Sequence, residues 1–143
     1  MNLGTGKCST FGGPSDTGVG VAEGLSCIDP VDLSQWWFSR LFLPYQPPGT
    51  SGLARKLNPQ AFYIAMRWGY GSFNGVQGEI LPNVSRQQIR ESLFLVSYGE
   101  QSVYAQAADW GPNTDTGRLV DCSPGVLAAI GATTDNEITV EVV

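Results

Sequence analysis

Two aspartates, Asp109 and Asp121, are the residues of this chain whose type and spacing best suit acid–base chemistry. The chain contains no histidine, so the usual imidazole proton carrier is absent and a carboxylate is the obvious remaining one. The alternative is structural. Asp109 would then bond backbone amides in the turn between the two acids, and Asp121 would cap or brace the segment that follows. The residues alone leave both interpretations open.

A predicted hairpin positions the first of these acids. Residues 92–98 and 102–108 are both typical of strands, and the loop between them is short and contains Gly99. The second strand of this hairpin runs directly into Asp109, which we therefore expect at the end of a strand.

The second acid lies in a predicted short strand, residues 118–122, that is followed by a helix. Ser123 is a preferred N-cap residue and is followed by proline, which suits the first helical position, and Gly131 predicts the end of the helix. The remaining predicted elements are strands at 7–11, 61–68 and 137–143, and short helices over 32–40 and 84–90.

The composition bounds the class of fold. The chain has 143 residues, of which 42% are hydrophobic and 15% charged, and it contains eighteen glycines and nine prolines. Such frequent turn residues leave little room for long helices and favour short strands. We expect one mainly β domain over residues 1–143, large enough to bury a core without help from disulfides or metals.

Charge and cysteine content exclude several functions. A net charge of −5 with eight basic residues argues against a surface for DNA or RNA. The three cysteines, Cys8, Cys27 and Cys122, lack the spacing and the histidine partners of a zinc site. We expect three reduced, buried thiols, with a Cys8–Cys27 bridge as the alternative.

The sequence also bears on location. Its first residues lack the apolar region of a secretory signal, and no window is long and apolar enough for a membrane span. We therefore expect a chain without a membrane-spanning segment that acts at a cell wall, in a virion or in a host cytoplasm.

An aromatic segment interrupts the pattern of strands. Within residues 29–60, Asp32 or Ser34 is predicted to cap a short helix through Arg40, and this helix gathers Trp36, Trp37, Phe38, Leu41 and Phe42. These side chains suit a satellite core, a platform on which sugar rings stack, or a contact patch for a partner subunit or a second copy of the chain.

The C-terminal motif resembles that of the rare-lipoprotein-A-like and expansin-like double-psi β-barrels. It is similar to the pattern D-x-G-P, G-R-x-x-D-L-S and A-x-x-L-G in three runs, with Cys122 where leucine is usual: residues 108–112 (Ala-Asp-Trp-Gly-Pro), 117–124 (Gly-Arg-Leu-Val-Asp-Cys-Ser-Pro) and 127–131 (Leu-Ala-Ala-Ile-Gly). The resemblance is specific over residues 102–143 and weaker at 9–13 and 62–68.

The resemblance implies a mainly β fold, a six-stranded double-psi barrel with short helices and an open groove for extended polysaccharide. Members of the family include peptidoglycan lytic transglycosylases, wall-loosening proteins and glycoside hydrolases. The match implies that Asp109 is the acid in the groove and that Thr10 or Ser9 lies near it. Asp121 would be structural, with Arg118, and would border the substrate.

Two functions of different classes follow. In the first, Asp109 cleaves peptidoglycan as a single acid, its pKa raised by a partly apolar groove that includes Trp110, and the step needs no metal or cofactor. Hydrolysis would need a second carboxylate, from Asp115 or Asp121. In the second, the chain is a non-catalytic module of a phage particle or another assembly, docked on structural proteins or on itself through Trp36 and Trp37.

Overall fold

Six strands form a closed barrel. The computed structural model describes residues 2–69 and 84–143. The strands are β1 (Asn2–Thr10), β2 (Tyr63–Met66), β3 (Leu93–Tyr98), β4 (Gln101–Trp110), β5 (Val120–Cys122) and β6 (Glu137–Val142). Around the barrel their order is β1-β5-β2-β4-β3-β6. The β1–β5 and β2–β4 pairings are parallel, and the other four are antiparallel.

In the described part of the chain, four short helices connect the strands. They are α1 (Trp36–Ser39), α2 (Leu53–Lys56), α3 (Arg86–Glu91) and α4 (Pro124–Ile130), with 3₁₀ turns at Pro30–Ser34 and Thr114–Thr116. Ser85 caps α3 and forms a capping box with Gln88. Ser123 caps α4, and Gly131 ends it with a φ of 73°, a left-handed value that glycine adopts without strain. The cap of α4 matches its sequence prediction.

The barrel has an internal two-fold relationship. The first half contains β1, β2, α3 and β3, and the second contains β4, β5, α4 and β6 in the same sequence of strand, strand, helix, strand. Exchanging β1 with β4, β2 with β5 and β3 with β6 reproduces every strand pairing, including the two parallel ones. The predicted class is confirmed: a mainly β, six-stranded double-psi barrel with short helices.

The barrel interior explains the apolar segments of the sequence. All four residues of β2 are buried, as the nearly continuous apolar run 61–68 predicts. Tyr63, Phe94 and Ile138 fill the core with fully buried side chains. Cys8, Cys27 and Cys122 are buried free thiols, so the alternative of a Cys8–Cys27 disulfide is wrong. Among the described residues, no helix is long and apolar enough to cross a membrane.

The aromatic segment folds differently from its prediction. Asp29, rather than Asp32 or Ser34, precedes the first turn, and its amide donates to Asp32 Oδ2 at 2.7 Å. Gln35 adopts an extended conformation with φ −105° and ψ 132°, which separates the 3₁₀ turn from α1. The predicted continuous helix is therefore two short pieces. Asp32 lies inside the 3₁₀ turn rather than at the start of a helix, and Gln35 interrupts the helical backbone.

Candidate active site

Strand register brings the two predicted acids to opposite sides of one residue. Ala65 of β2 pairs with Asp109 of β4 on one side and with Asp121 of β5 on the other. Asp121 also pairs with Ser9 of β1. Since neighbouring strands lie about 5 Å apart, the Cα atoms of Asp109 and Asp121 are separated by about 10 Å. We refer to Ser9, Asp121, Ala65 and Asp109 as the carboxylate row.

Asp109 is held by backbone amides. Its Oδ1 accepts hydrogen bonds from the amides of Ser26 and Trp110, each at 2.9 Å. Burial raises the pKa of Asp109 above its ordinary value, while these two amides act in the opposite direction. The amide bonding that the structural interpretation predicts is present, but its second donor comes from a distant loop rather than from the turn.

Asp121 is the acid whose ionisation the fold disfavours more clearly. Burial raises the pKa of Asp121 to about 6, and the negative charge of Asp109 adds to the rise, while Arg118 and Arg67 oppose it. A carboxyl group with this pKa is partly protonated near neutral pH. Asp121 can therefore donate a proton under conditions in which an ordinary aspartate cannot.

Two arginines surround the row. Arg67 is buried, and its Nη1 donates to the carbonyls of Pro112 at 3.1 Å and Arg118 at 2.7 Å. Burial lowers the pKa of Arg67, and the charge of Asp121 opposes that effect. Arg118 forms its ion pair with Asp135 at 2.9 Å. The guanidinium of Arg118 is therefore paired with Asp135, and it acts on Asp121 through its charge.

The other predicted site residues divide between two places. Trp110 follows Asp109 directly, is half-buried, and donates from Nε1 to the carbonyl of Trp68 at 3.0 Å. Thr10 is exposed and lines an open cleft of about 470 Å³ with Asp16, a cleft that neither carboxyl of the row lines. The structure thus brings Asp109, Asp121 and Trp110 together, whereas Thr10 lines a separate cleft.

Three contributors to the site were not singled out from the sequence. Ser26 supplies an amide to Asp109, Asp16 contributes to the raised pKa of Asp121, and Arg67 is a buried charge near it. A single arginine within the apolar run 61–68 was the available signal for Arg67. Asp16 also holds its own turn, because its carboxylate accepts hydrogen bonds from the amides of Gly12 and Gly18, at 2.6 and 2.9 Å.

Metal and thiol chemistry find little support in this part of the molecule. Within residues 2–69 and 84–143, no group of three or more His, Cys, Asp or Glu is placed to hold a metal ion. Burial raises the pKa of Cys27 to about 12 and that of Cys122 well above its usual range. Thiols of this kind are protonated at neutral pH and are poor nucleophiles.

The aromatic segment is divided between core and surface. Phe38, Leu41 and Phe42 are buried, whereas Trp36 is 71% exposed. Trp37 is half-buried and donates from its indole nitrogen to the carbonyl of Arg90 at 2.8 Å. The satellite-core interpretation therefore holds for the three buried residues, and Trp36 remains available at the surface.

The fold and the row define the class as a six-stranded double-psi barrel with two partly buried carboxyl groups on the strands that flank β2. No family model matches the sequence. The curated proteins contain no match either. Eleven chains of solved structures match it. One of them, a Streptomyces papain inhibitor, is 16% identical with a TM-score of 0.48, over 98% of this chain and 93% of that chain. A likeness at this level assigns neither a family nor an activity.

Proposed function

We propose that the chain binds an extended wall polysaccharide, peptidoglycan, across the carboxylate row and cleaves it by a lytic transglycosylase-like step. The observation that carries this proposal is the strand register that places Asp109 and Asp121 on either side of Ala65, where burial raises the pKa of Asp121 to about 6. Two carboxyl groups in different environments suit such a step, because one can hold a proton for the glycosidic oxygen while the other stays ionised. The motif resemblance over residues 102–143 supplies the substrate class.

In the proposed step, Asp121 gives its proton to the glycosidic oxygen as the bond from that oxygen to the anomeric carbon breaks. A hydroxyl of the same sugar then adds to the anomeric carbon, and its proton returns to Asp121, so one carboxyl serves as acid and then as base. Asp109, the acid that the resemblance implies, would favour the protonated form of Asp121 through its charge. Trp110 would limit access of water to the pair.

Single variants distinguish the roles of the two acids. Peptidoglycan sacculi would be incubated with wild type, Asp121→Asn, Asp109→Asn and Asp115→Asn, and the released muropeptides analysed. We expect at least a roughly 100-fold loss for Asp121→Asn, because a positioned acid contributes about 10²–10⁴-fold. Asp115 is exposed in the intervening turn, and its variant serves as the matched control.

The outcomes separate the alternatives. For Asp109→Asn we expect reduced release and a pH profile whose basic limb moves to lower pH, because the pKa of Asp121 falls when the neighbouring charge is removed. Full release by Asp121→Asn together with none by Asp109→Asn would reassign the acid to Asp109. No release by wild type would reject the cleavage proposal.

The second candidate function is a non-catalytic module of a phage particle or other assembly. The observation that favours it is the exposure of Trp36 on the aromatic segment. A module of this kind would self-associate or bind a structural partner through Trp36, and Trp36→Ala would shift its sedimentation towards the monomer. If the wild-type chain sediments as a monomer at high concentration, the hypothesis of self-association through Trp36 is wrong.

A further inference from the structure

A second cleft lies on the outer face of the hairpin formed by β3 and β4, beside α1. Its volume is about 340 Å³, and residues that line it include Arg40, Gln60, Phe62, Leu93, Tyr104 and Gln106. This volume lies within the range of roughly 300–1,000 Å³ that is usual for small-ligand sites. Neither Asp109 nor Asp121 lines this cleft.

Two aromatic side chains give the cleft exposed apolar surface. Tyr104 is 54% exposed and Phe62 is 39% exposed. Phe62 lies beside β4, because its carbonyl accepts the amide of Gln106 at 3.2 Å. Tyr104 and Gln106 are two residues apart on one strand and therefore project from the same face of it. The cleft thus combines flat apolar surfaces with a side-chain amide.

Arg40 is fixed at the edge of the cleft. Its Nε and Nη2 donate to Gln106 Oε1 at 3.2 and 2.8 Å, and the amide nitrogen of Gln106 donates to the carbonyl of Trp37 at 2.9 Å. The guanidinium carbon lies 4.8 Å from the ring centroid of Trp36 and 4.5 Å from that of Trp37. Stacking on two indoles and bonding to a buried amide hold the guanidinium in one orientation.

The charge of Arg40 is not matched by a carboxylate at this cleft. Among the described residues, the ion pairs join Arg86 to Asp29, Arg90 to Asp32 and Arg118 to Asp135, and Arg40 enters none of them. The described residues that line the cleft include no acid. In a chain with a net charge of −5, this cleft is a local site of positive charge, which favours an anionic ligand.

We propose that this cleft binds a carboxylate-bearing sugar residue. The C–H face of the sugar ring packs on Tyr104 and Phe62, the carboxylate pairs with the guanidinium of Arg40, and the amide of Gln60 bonds a ring hydroxyl. A planar fork that is already oriented loses little freedom when it binds a carboxylate. The proposal does not rest on any reaction at Asp109 and Asp121.

A matched pair of disaccharides tests the proposal by calorimetric titration of the full chain. The acidic probe is N-acetylglucosaminyl-N-acetylmuramic acid, and the neutral probe is diacetylchitobiose, which has the same two-sugar frame without the carboxylate. We expect the acidic probe to bind roughly tenfold more tightly, and the difference to decrease with added salt. Equal affinities, or no binding of either probe, would overturn the proposal.

Variants locate the site. Tyr104→Ala should weaken binding of the acidic probe by about 3- to 10-fold, the value of one aromatic stacking contact. Tyr45→Ala is the control, because Tyr45 is 55% exposed in the same aromatic segment and does not line the cleft. Arg40→Gln should bring the ratio of the two affinities to about one. An unchanged ratio in a folded Arg40→Gln protein would overturn the role of Arg40.

One further control completes the design. A proline-rich peptide is the competing ligand, because aromatic grooves also bind such peptides. If the peptide binds in the cleft and the acidic disaccharide does not, the saccharide proposal is wrong.

Discussion

Asp121 is a carboxyl group that the folded state keeps protonated to unusually high pH. Its pKa rises from an ordinary value of 3.8 to about 6, with burial as the main cause. Below the ordinary value, the acid is protonated in both the folded and the unfolded chain and has no effect on stability. As the pH rises towards 6, the unfolded chain loses its proton first, so folding becomes less favourable; above 6 the penalty is constant.

This linkage predicts that removing the charge of Asp121 stabilises the protein at neutral pH. The shift corresponds to about 2–3 kcal/mol after allowance for partial exposure. We expect the free energy of unfolding of Asp121→Asn to exceed that of wild type by about 2 kcal/mol at pH 7.5, and by about 0.5 kcal/mol near pH 4. Urea denaturation at both pH values measures it, and an increase that does not depend on pH would contradict it.

The helices that follow β2 and β5 are equivalent elements in the two halves, but their caps differ in burial. Ser123 is fully buried: its hydroxyl accepts the amide of Val126 at 3.1 Å and donates to the carbonyl of Ala61 at 2.6 Å. Ser85 is exposed and accepts the amide of Gln88 at 3.1 Å. The cap of α4 therefore also attaches the helix to the residues just before β2.

We predict that Ser123→Ala is more destabilising than Ser85→Ala. The exposed cap should contribute about 1 kcal/mol, whereas the buried one should contribute about 2–3 kcal/mol, because its loss also leaves the buried carbonyl of Ala61 without its donor. Chemical denaturation of the two variants against wild type measures both values. Equal losses would show that the bond to Ala61 contributes nothing.

At the scale of the whole molecule, two ion pairs among the described residues join the aromatic segment to α3, Arg86 with Asp29 and Arg90 with Asp32, and the second is the more buried. Asp32 is buried, and its two carboxylate oxygens accept from Arg90 Nη1 at 2.7 Å and Nη2 at 2.9 Å. The hydrogen bonds from Arg90 are the main cause that lowers the pKa of Asp32. A lowered pKa contributes stability above the ordinary pKa, and this contribution is lost as the pH falls through the folded value. Asp32 and Asp121 thus act on stability in opposite directions as the pH changes.

Breaking this pair should loosen the segment. We expect Asp32→Asn to reduce the free energy of unfolding by about 3 kcal/mol at pH 7, because Arg90 is left partly buried without its counter-charge. The difference from wild type should diminish in acid. Asp135→Asn is the control, since it breaks the more exposed Arg118 pair and should change stability little. Thermal unfolding of both variants at pH 7 and pH 3 compares them, and a larger loss for Asp135→Asn would contradict the assignment.

The sequence was informative where the cause of structure is local. Ser123 with Gly131 bounds a helix through capping chemistry, and the hairpin of β3 and β4 follows from alternation around a glycine. The carboxylate row was not predictable from patterns, because its four residues come from four strands that pair out of chain order. The stacking of Arg40 on two indoles was not predictable from patterns either. It depends on the path of α1, which the extended conformation of Gln35 sets.

The two-fold relationship of the barrel has a consequence for the direction in which a polymer could lie. The axis passes between Ala65 and Asp121, so Asp109 is the counterpart of Ser9, and Asp121 is the counterpart of Ala65. A chain laid along the row would meet the same strand directions from either end, but the register irregularity between Ile64 and Ala65 occurs only on the side of β4. Its polarity would therefore be selected by that irregularity and by which end meets the serine and which meets the aspartate.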